Sequence, residues 1–394
     1  MQIDTRFVDL LAIYRSELLN RTLPFWLDHA IDWQNGGILT CISDDGQVLS
    51  QDKYMWSQLR AIWTFSALYN RIESRPEWLD VARHIYDFVR RYGRDDKGQW
   101  VFCVSKEGLI LQGATSIYAD GFAIYGLTEL GRATGDQEII DLALATYKNV
   151  QNRLARPGSY QTAPYQIPQG GKAHAISMIF SLVFNELGHT LGDQTIIDAG
   201  LQHAAEVLDV YLRPDRKLLY EFVSLDNSLI DSPQGRSVVP GHAIESMWFM
   251  IHIFGQAGDQ TRIRKAIDCI RWHLEFGWDE QYGGIFHARD AEGGTPWWRF
   301  ADAKLWWPHT EALYATLLAY QISREAWCLD WFQRVHNYAF SHYPVLEFGE
   351  WTQRLDRQGR ALTDTVALPV KDPFHLPRAL IYCTQVLESL VGHR

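Results

Sequence analysis

The sequence predicts an all-α protein, an (α/α)6 barrel with short β-hairpins in the loops at one mouth. Two observations lead there: a strand–turn phrase repeated along the whole chain, and a regular alternation between two kinds of helix. The phrase opens on a glycine or an apolar pair and closes on Gly or Asn. Its copies run Gly37-Ile38-Leu39 to Gly46, Gly98-Gln99-Trp100 to Gly108, Leu218-Leu219-Tyr220 to Asn227, Gly284-Ile285-Phe286 to Gly293 and Gly349-Glu350-Trp351 to Gly359. The third residues stand at 39, 100, 220, 286 and 351, so the gaps are 61, 120, 66 and 65, and the double gap asks for a degenerate copy at Tyr160. A fixed period of this length marks an architecture of repeated supersecondary units.

Two helical stretches separate successive phrases. The first kind is amphipathic: 6–30, 76–92, 137–154, 193–212, 260–276 and 324–342. In the second of these, Trp78, Val81, Ala82, Ile85, Phe88 and Val89 keep helical spacing while Asp80, Arg83, Asp87 and Arg90 occupy the other face. Pro76 and Glu77 suit its first turn and Gly93 its end. The second kind is apolar on most sides: 54–72, 118–132, 174–187, 242–254, 309–320 and 375–390. Helices of that composition are buried on most sides. Six of each, alternating, read as an outer ring around an inner ring. An open solenoid obeys the same periodicity, but aromatics packed inside six similar inner helices favour closure. No linker or charge block divides residues 1–394, so a single domain is expected.

Composition excludes several functions. Net charge is -10, from 37 basic and 47 acidic residues, which is no footprint for nucleic acid. No run of apolar residues reaches membrane-spanning length. Met1-Gln2-Ile3-Asp4 carries an acid where a signal peptide carries basic residues, and the five scattered cysteines form no CxxC pair, so a cytoplasmic protein is expected. Sixteen Trp, 18 Tyr and 18 Phe suit stacking on sugar C–H faces as well as core filling.

Polar residues interrupt apolar sequence at the starts of the inner helices, whose N-termini should converge on one mouth. Arg60, His174, His242 and His375 recur there at what the spacing suggests is one phase. His242 with Glu245, and His375 with Arg378, are each three apart and share a helix face. A carboxylate beside an imidazole raises its pKa, and a guanidinium suits a developing oxyanion. His309 and Glu311, two apart, point in different directions, and Glu311 is the better candidate for the cavity. No histidine pair has the i, i+4 spacing of a helical zinc motif, so no catalytic metal is expected. Gly170-Gly171-Lys172 lacks the rest of a phosphate loop.

At this point the chain resembles the N-acylglucosamine 2-epimerase family, which includes renin-binding protein and is related to cellobiose 2-epimerases and aldose–ketose isomerases. The resemblance rests on Pro24-Phe25-Trp26 with Gly36-Gly37, Lys53-Tyr54-Met55-Trp56 with Arg60, and Pro240-Gly241-His242 with Glu245. It continues through Trp278-Asp279 with Tyr282-Gly283-Gly284, Lys304-Leu305-Trp306-Trp307-Pro308-His309, Gly349-Glu350-Trp351 and Phe374-His375-Leu376-Pro377-Arg378. It implies an (α/α)6 barrel that epimerises C2 of an aldose through a planar enediolate, without a cofactor. It also implies His242 and His375 as the acid/base pair, Glu245 tuning His242, and Arg60 and Arg378 at the enediolate oxygen. Trp307, Glu311, Tyr54, Trp56, His309 and His174 would bind the sugar.

Two departures from the N-acylglucosamine branch stand out: His174, which matches the cellobiose epimerases and the isomerases, and Thr295-Pro296-Trp297-Trp298-Arg299-Phe300. An aldose–ketose isomerase of mannose/fructose type is therefore the alternative. Further rivals are a glycoside hydrolase, which needs paired carboxylates such as Glu245, Glu311 or Asp120, and a non-catalytic binding protein. The family also makes a homodimer plausible.

Overall fold

The computed structural model describes residues 5–156, 158–362, 368–371 and 373–392. The inner helices are α3 (Met55–Arg71), α5 (Ile117–Thr134), α7 (His174–Leu191), α9 (Pro240–Ala257), α11 (Trp306–Ser323) and α13 (His375–Gly392). Each packs on the next, and α13 packs back on α3, so the inner ring closes and the open solenoid is ruled out. The outer elements are α4 (Pro76–Tyr92), α6 (Gln137–Leu154), α8 (Gln194–Glu206), α10 (Gln260–Gly277) and α12 (Ala326–His342). The sixth outer element comes from the other end of the chain. There α1 (Thr5–Ser16), a π-helical stretch Glu17–Thr22 and α2 (Leu23–His29) run on together, and α1 packs against α13.

The hairpins lock one repeat to the next. In each, the chain leaving an outer helix bridges the start of a phrase: Ile31 with Ile38, Arg94 with Trp100, Leu212–Arg213 with Leu218–Leu219, Trp278 with Ile285, and Pro344 with Trp351. The short strand ahead of an inner helix then pairs antiparallel with the following phrase. Lys53–Tyr54 joins Cys103–Val104, Gly171–Ala173 joins Phe222–Ser224, Ser237–Val238 joins Arg289–Asp290, and Lys304–Leu305 joins Arg354–Leu355. The copy expected at Tyr160 departs from this scheme: there Thr162 bridges Ser116, and among the described residues no outer-helix bridge forms.

That pairing explains how the inner helices begin. None of α3, α5, α7, α9 and α11 has a side-chain cap, whereas Asp136, Asp193 and Asp259 cap α6, α8 and α10. Instead the first N–H of the inner helix donates to a backbone carbonyl of the next phrase. Met55 donates to Phe102, Ile117 to Gln161, His174 to Glu221 and Trp306 to Gln353. The fourth of the six, α9, starts at Pro240, which has no N–H to satisfy. The remaining first-turn N–H groups, and the positive ends of the helix dipoles, face one mouth.

Two buried ion pairs pin matching hairpins. Lys53 Nζ lies 2.8 Å from Asp32, and Lys304 Nζ lies 3.0 Å from Asp279, with both lysines fully buried. Burial lowers the Lys304 ammonium to about 8 despite that carboxylate.

Candidate active site

Counting from the first residue of each inner helix, the sixth position reads Arg60, Phe122, Ile179, Glu245 and Glu311. Arg378 completes the set, since it follows Lys371 by seven residues as Glu311 follows Lys304. Helix spacing thus builds a ring with four charged members and two apolar ones. His242 and His375 stand three residues earlier, one turn nearer the mouth. His174 does not share that phase: it is the first residue of α7.

The ring and mouth enclose a cavity of about 640 Å3 lined by Trp56, Arg60, Glu245, His242, Trp307, His375 and Arg378 among others. His242 and His375 both pack on the indole of Trp307, with ring centroids 5.0 and 5.7 Å away. Gly241 is required for this, because a Cβ there would lie 2.6 Å from that indole. Arg60 rests over the rings of Trp56, Phe122 and Phe374, with the guanidinium 4.0–4.8 Å from their centroids.

Each histidine is gripped through Nδ1 by a buried carboxylate. Glu311 Oε1 lies 2.8 Å from His375 Nδ1, and the Glu221 oxygens lie 3.1 and 3.2 Å from His242 Nδ1. A carboxylate accepts, so Nδ1 carries the proton in each ring. Burial disfavours charge on His242, but the neighbouring Glu221 carboxylate overrides it and raises the pKa. Glu221 responds in the opposite sense. Burial would raise it, yet His242 and His174 hold it down at about 2.

Glu311 is the centre of a second network. It accepts from Trp248 Nε1 at 2.7 Å and from Arg378 Nη2 at 2.8 Å. Glu245 also takes Arg378 Nη2. Ligand atoms of Glu245, Glu311 and His375 lie within 4.8 Å of one another, as a metal site requires, but the Arg378 guanidinium is already the cation bound to both carboxylates.

Five expectations need correction. Glu245 is not the residue bonded to His242; it holds Arg378, because Glu221 on the hairpin reaches Nδ1 first. His309 does not reach the cavity. It is fully buried, accepts the Ile285 N–H at Nε2 (2.8 Å), and its Nδ1 lies 2.7 Å from the Leu305 carbonyl, so it pins a hairpin. Gln58 does the same for Ile38 in the first repeat. Tyr54 likewise packs on Phe102 outside the cavity lining, and Glu311 sits behind His375 instead of touching sugar. His174 is also fully buried behind the wall, with Nε2 2.7 Å from Ser246 Oγ and Nδ1 3.8 Å from Glu221.

Sequence reasoning missed Glu221 and His287, both on the cavity wall. A signal was present: each directly follows the third residue of a phrase, Tyr220 or Phe286. His287 has its Nδ1 3.3 Å from the Phe300 carbonyl, and burial keeps it neutral, with a pKa of about 4.

Residues 37–379 match the family described as N-acylglucosamine 2-epimerase (GlcNAc 2-epimerase). The chain is 31% identical over 389 residues to an N-acylglucosamine 2-epimerase of Bos taurus, covering 95% of this chain and 90% of that one. It is 25% identical over 338 residues to a cellobiose 2-epimerase of Dictyoglomus turgidum, covering 80% and 83%. Among solved structures, the cellobiose 2-epimerase of Spirochaeta thermophila shares the fold at TM-score 0.85 and 20% identity, with 100% of both chains covered. A D-mannose isomerase does so at TM-score 0.82 and 16% identity, covering 96% and 97%.

Proposed function

The chain belongs to the N-acylglucosamine 2-epimerase family, and from that premise we propose that it inverts C2 of a free aldose or N-acyl hexosamine with His242 and His375 as its two bases. One observation carries this reading: two imidazoles on the same indole at one cavity, each with Nδ1 on a buried carboxylate. The sugar ring opens. A neutral imidazole takes the C2 proton, the C–H electron pair forms the C1–C2 double bond, and the carbonyl oxygen becomes an enediolate oxygen. The other imidazole, already protonated, delivers its proton to the opposite face of C2 and the carbonyl re-forms. Glu221 and Glu311 are positioning residues that fix tautomer and ring orientation. Arg60 and Arg378 place positive charge near the enediolate. Arg378 is held in place between Glu245 and Glu311.

Nothing in this chemistry needs a cofactor or metal. We also propose one catalytic domain, a cytoplasmic location and a homodimer without nucleic-acid partners. Five buried free thiols and a net charge of -10 support the location and the lack of nucleic acid. No helix among the described residues is long and apolar enough to cross a membrane. Proton NMR in heavy water with glucose, mannose, N-acetylglucosamine, N-acetylmannosamine and cellobiose tests the reaction. Deuterium at C2 of the epimeric aldose is the expected result; accumulation of a ketose transfers the protein to the isomerases.

A further inference from the structure

The cavity is not equally deep on all sides. Helix α11 contributes only Trp306 and Trp307 of its own residues, and α13 only His375 and Arg378. Helix α7 contributes Ala175, Met178, Ile179, Leu182 and Val183, the i, i+3, i+4, i+7, i+8 stripe of a single face. From 175 to 183 that stripe descends about 12 Å along the axis. Among the described residues of the inner helices, the charged side chains of the cavity stop at the sixth position, with Arg60, Glu245 and Arg378. Below that level α7 presents only Leu182 and Val183, faced by Phe249 of α9 and by Tyr125 of α5, whose hydroxyl is 3.2 Å from that of Tyr382. Phe122 and Ile179, the two apolar members of the ring, form the threshold.

A polyol does not fill such a space well. Each sugar hydroxyl placed among Leu182, Val183 and Phe249 would lose its water partners and gain none. The volume also exceeds the need of one hexose and lies in the range of drug-sized ligands, about 300–1,000 Å3. The reacting carbon is tied to the mouth by His242 and His375, so what descends past the ring is a substituent and not the sugar chain.

We propose that this bay receives an apolar acyl chain on the substrate nitrogen, and that the enzyme favours N-acyl hexosamines whose chain is longer than acetyl over unsubstituted aldoses. The inference rests on the epimerase reading and deepens it. An N-propanoyl or N-butanoyl group passes Phe122 and Ile179 and lies on Leu182 and Val183, while its carbonyl stays at the level of Arg60. Each added CH2 increases kcat/KM by about fourfold, the worth of burying one methylene. N-glycolyl, which replaces the terminal methyl of propanoyl with a hydroxyl, is disfavoured by about tenfold or more, since the Leu182, Val183 and Phe249 side chains offer that hydroxyl no partner and the Tyr125 hydroxyl is already bonded to Tyr382.

The test measures deuterium incorporation at C2 by NMR for mannose and for N-acetyl-, N-propanoyl-, N-butanoyl- and N-glycolylmannosamine. It is run on the wild type and on Val183→Phe and Leu182→Phe, with the melting temperature of each variant measured alongside. The expected result is a rise from mannose through acetyl to butanoyl, glycolyl below propanoyl, and a butanoyl-to-acetyl ratio that collapses by tenfold or more in the filled variants. Because two substrates are compared on one enzyme, partial loss of folded protein cancels from the ratio. Epimerisation of any substrate with a ratio that stays flat or falls as the chain lengthens overturns the acyl-bay proposal and leaves the epimerase reading standing. No exchange at C2 in any of the five overturns the epimerase reading itself, and the bay proposal with it.

Discussion

His242 and His375 use one device in two different settings. His375 lies deeper, 8% exposed against 19% for His242, and its carboxylate comes from a neighbouring inner helix. That carboxylate is shared with Arg378 and Trp248. The carboxylate of His242 comes from a hairpin and is shared, among the described residues, with another histidine, His174. A shared network therefore orients His375, whereas on His242 it is chiefly the Glu221 carboxylate, with Glu245 adding to it, that overcomes burial and raises the pKa. The difference teaches that a two-base site need not be symmetric in its supports, only in what it presents to the substrate.

The largest effects come from removing the bases. His375→Asn and His242→Asn should each lower kcat by about 10²–10⁴ with circular dichroism unchanged; near-normal turnover in either ends the two-base assignment. Next is Glu311→Gln against Glu221→Gln. Glu311 serves His375, Arg378 and Trp248 together, so its loss should reduce both kcat, by about a hundredfold, and melting temperature. Glu221→Gln should affect kcat more than stability, and the reverse order would erase the contrast drawn above.

A third measurement uses pH. Removing Glu221 removes the charge that raises His242, so the limb of the pH–rate bell governed by His242 should move to lower pH. Stability follows the same pair. Glu221, depressed from 4.5 to about 2, stabilises the fold above 4.5 and loses that contribution as pH falls toward 2. His242, raised from 6.5, stabilises fully below 6.5 and loses that contribution as pH rises through its elevated value. The wild type should exceed Glu221→Gln most between pH 4.5 and 6.5, read as a melting-temperature difference across pH. The smallest effect is expected for His309→Gln. Gln58 already holds Ile38 as His309 holds Ile285, so kcat should change by less than about threefold, the scale of a substitution away from charged chemistry.

Much of this was legible in the sequence. Apolar and amphipathic stretches alternated at a period that hydrophobic burial alone enforces, and the phrases marked every hairpin but the irregular one at Tyr160. On the site, helix spacing placed His242, Glu245, Arg60 and Arg378 at the cavity correctly. It failed where a residue's reach depends on register between segments. Glu221 meets His242 because Ala173 pairs with Phe222, which sets Glu221 beside the start of α7. Nothing local to residue 221 encodes that pairing. His309 and Glu311 failed for a related reason, since a first-turn side chain can face the hairpin or the adjacent helix as readily as the cavity.

Trp307 has one more consequence. The indole that both imidazoles share offers a single N–H donor and no acceptor, so it cannot relay a proton from one histidine to the other. In the proposed mechanism every turnover leaves the proton on the opposite histidine from where it began. On that mechanism the free enzyme would exist as two protonation isomers, one ready for each epimer, interconverted by proton exchange with solvent. At high substrate that return becomes the slow step, and the protein carries a record of the direction it last ran.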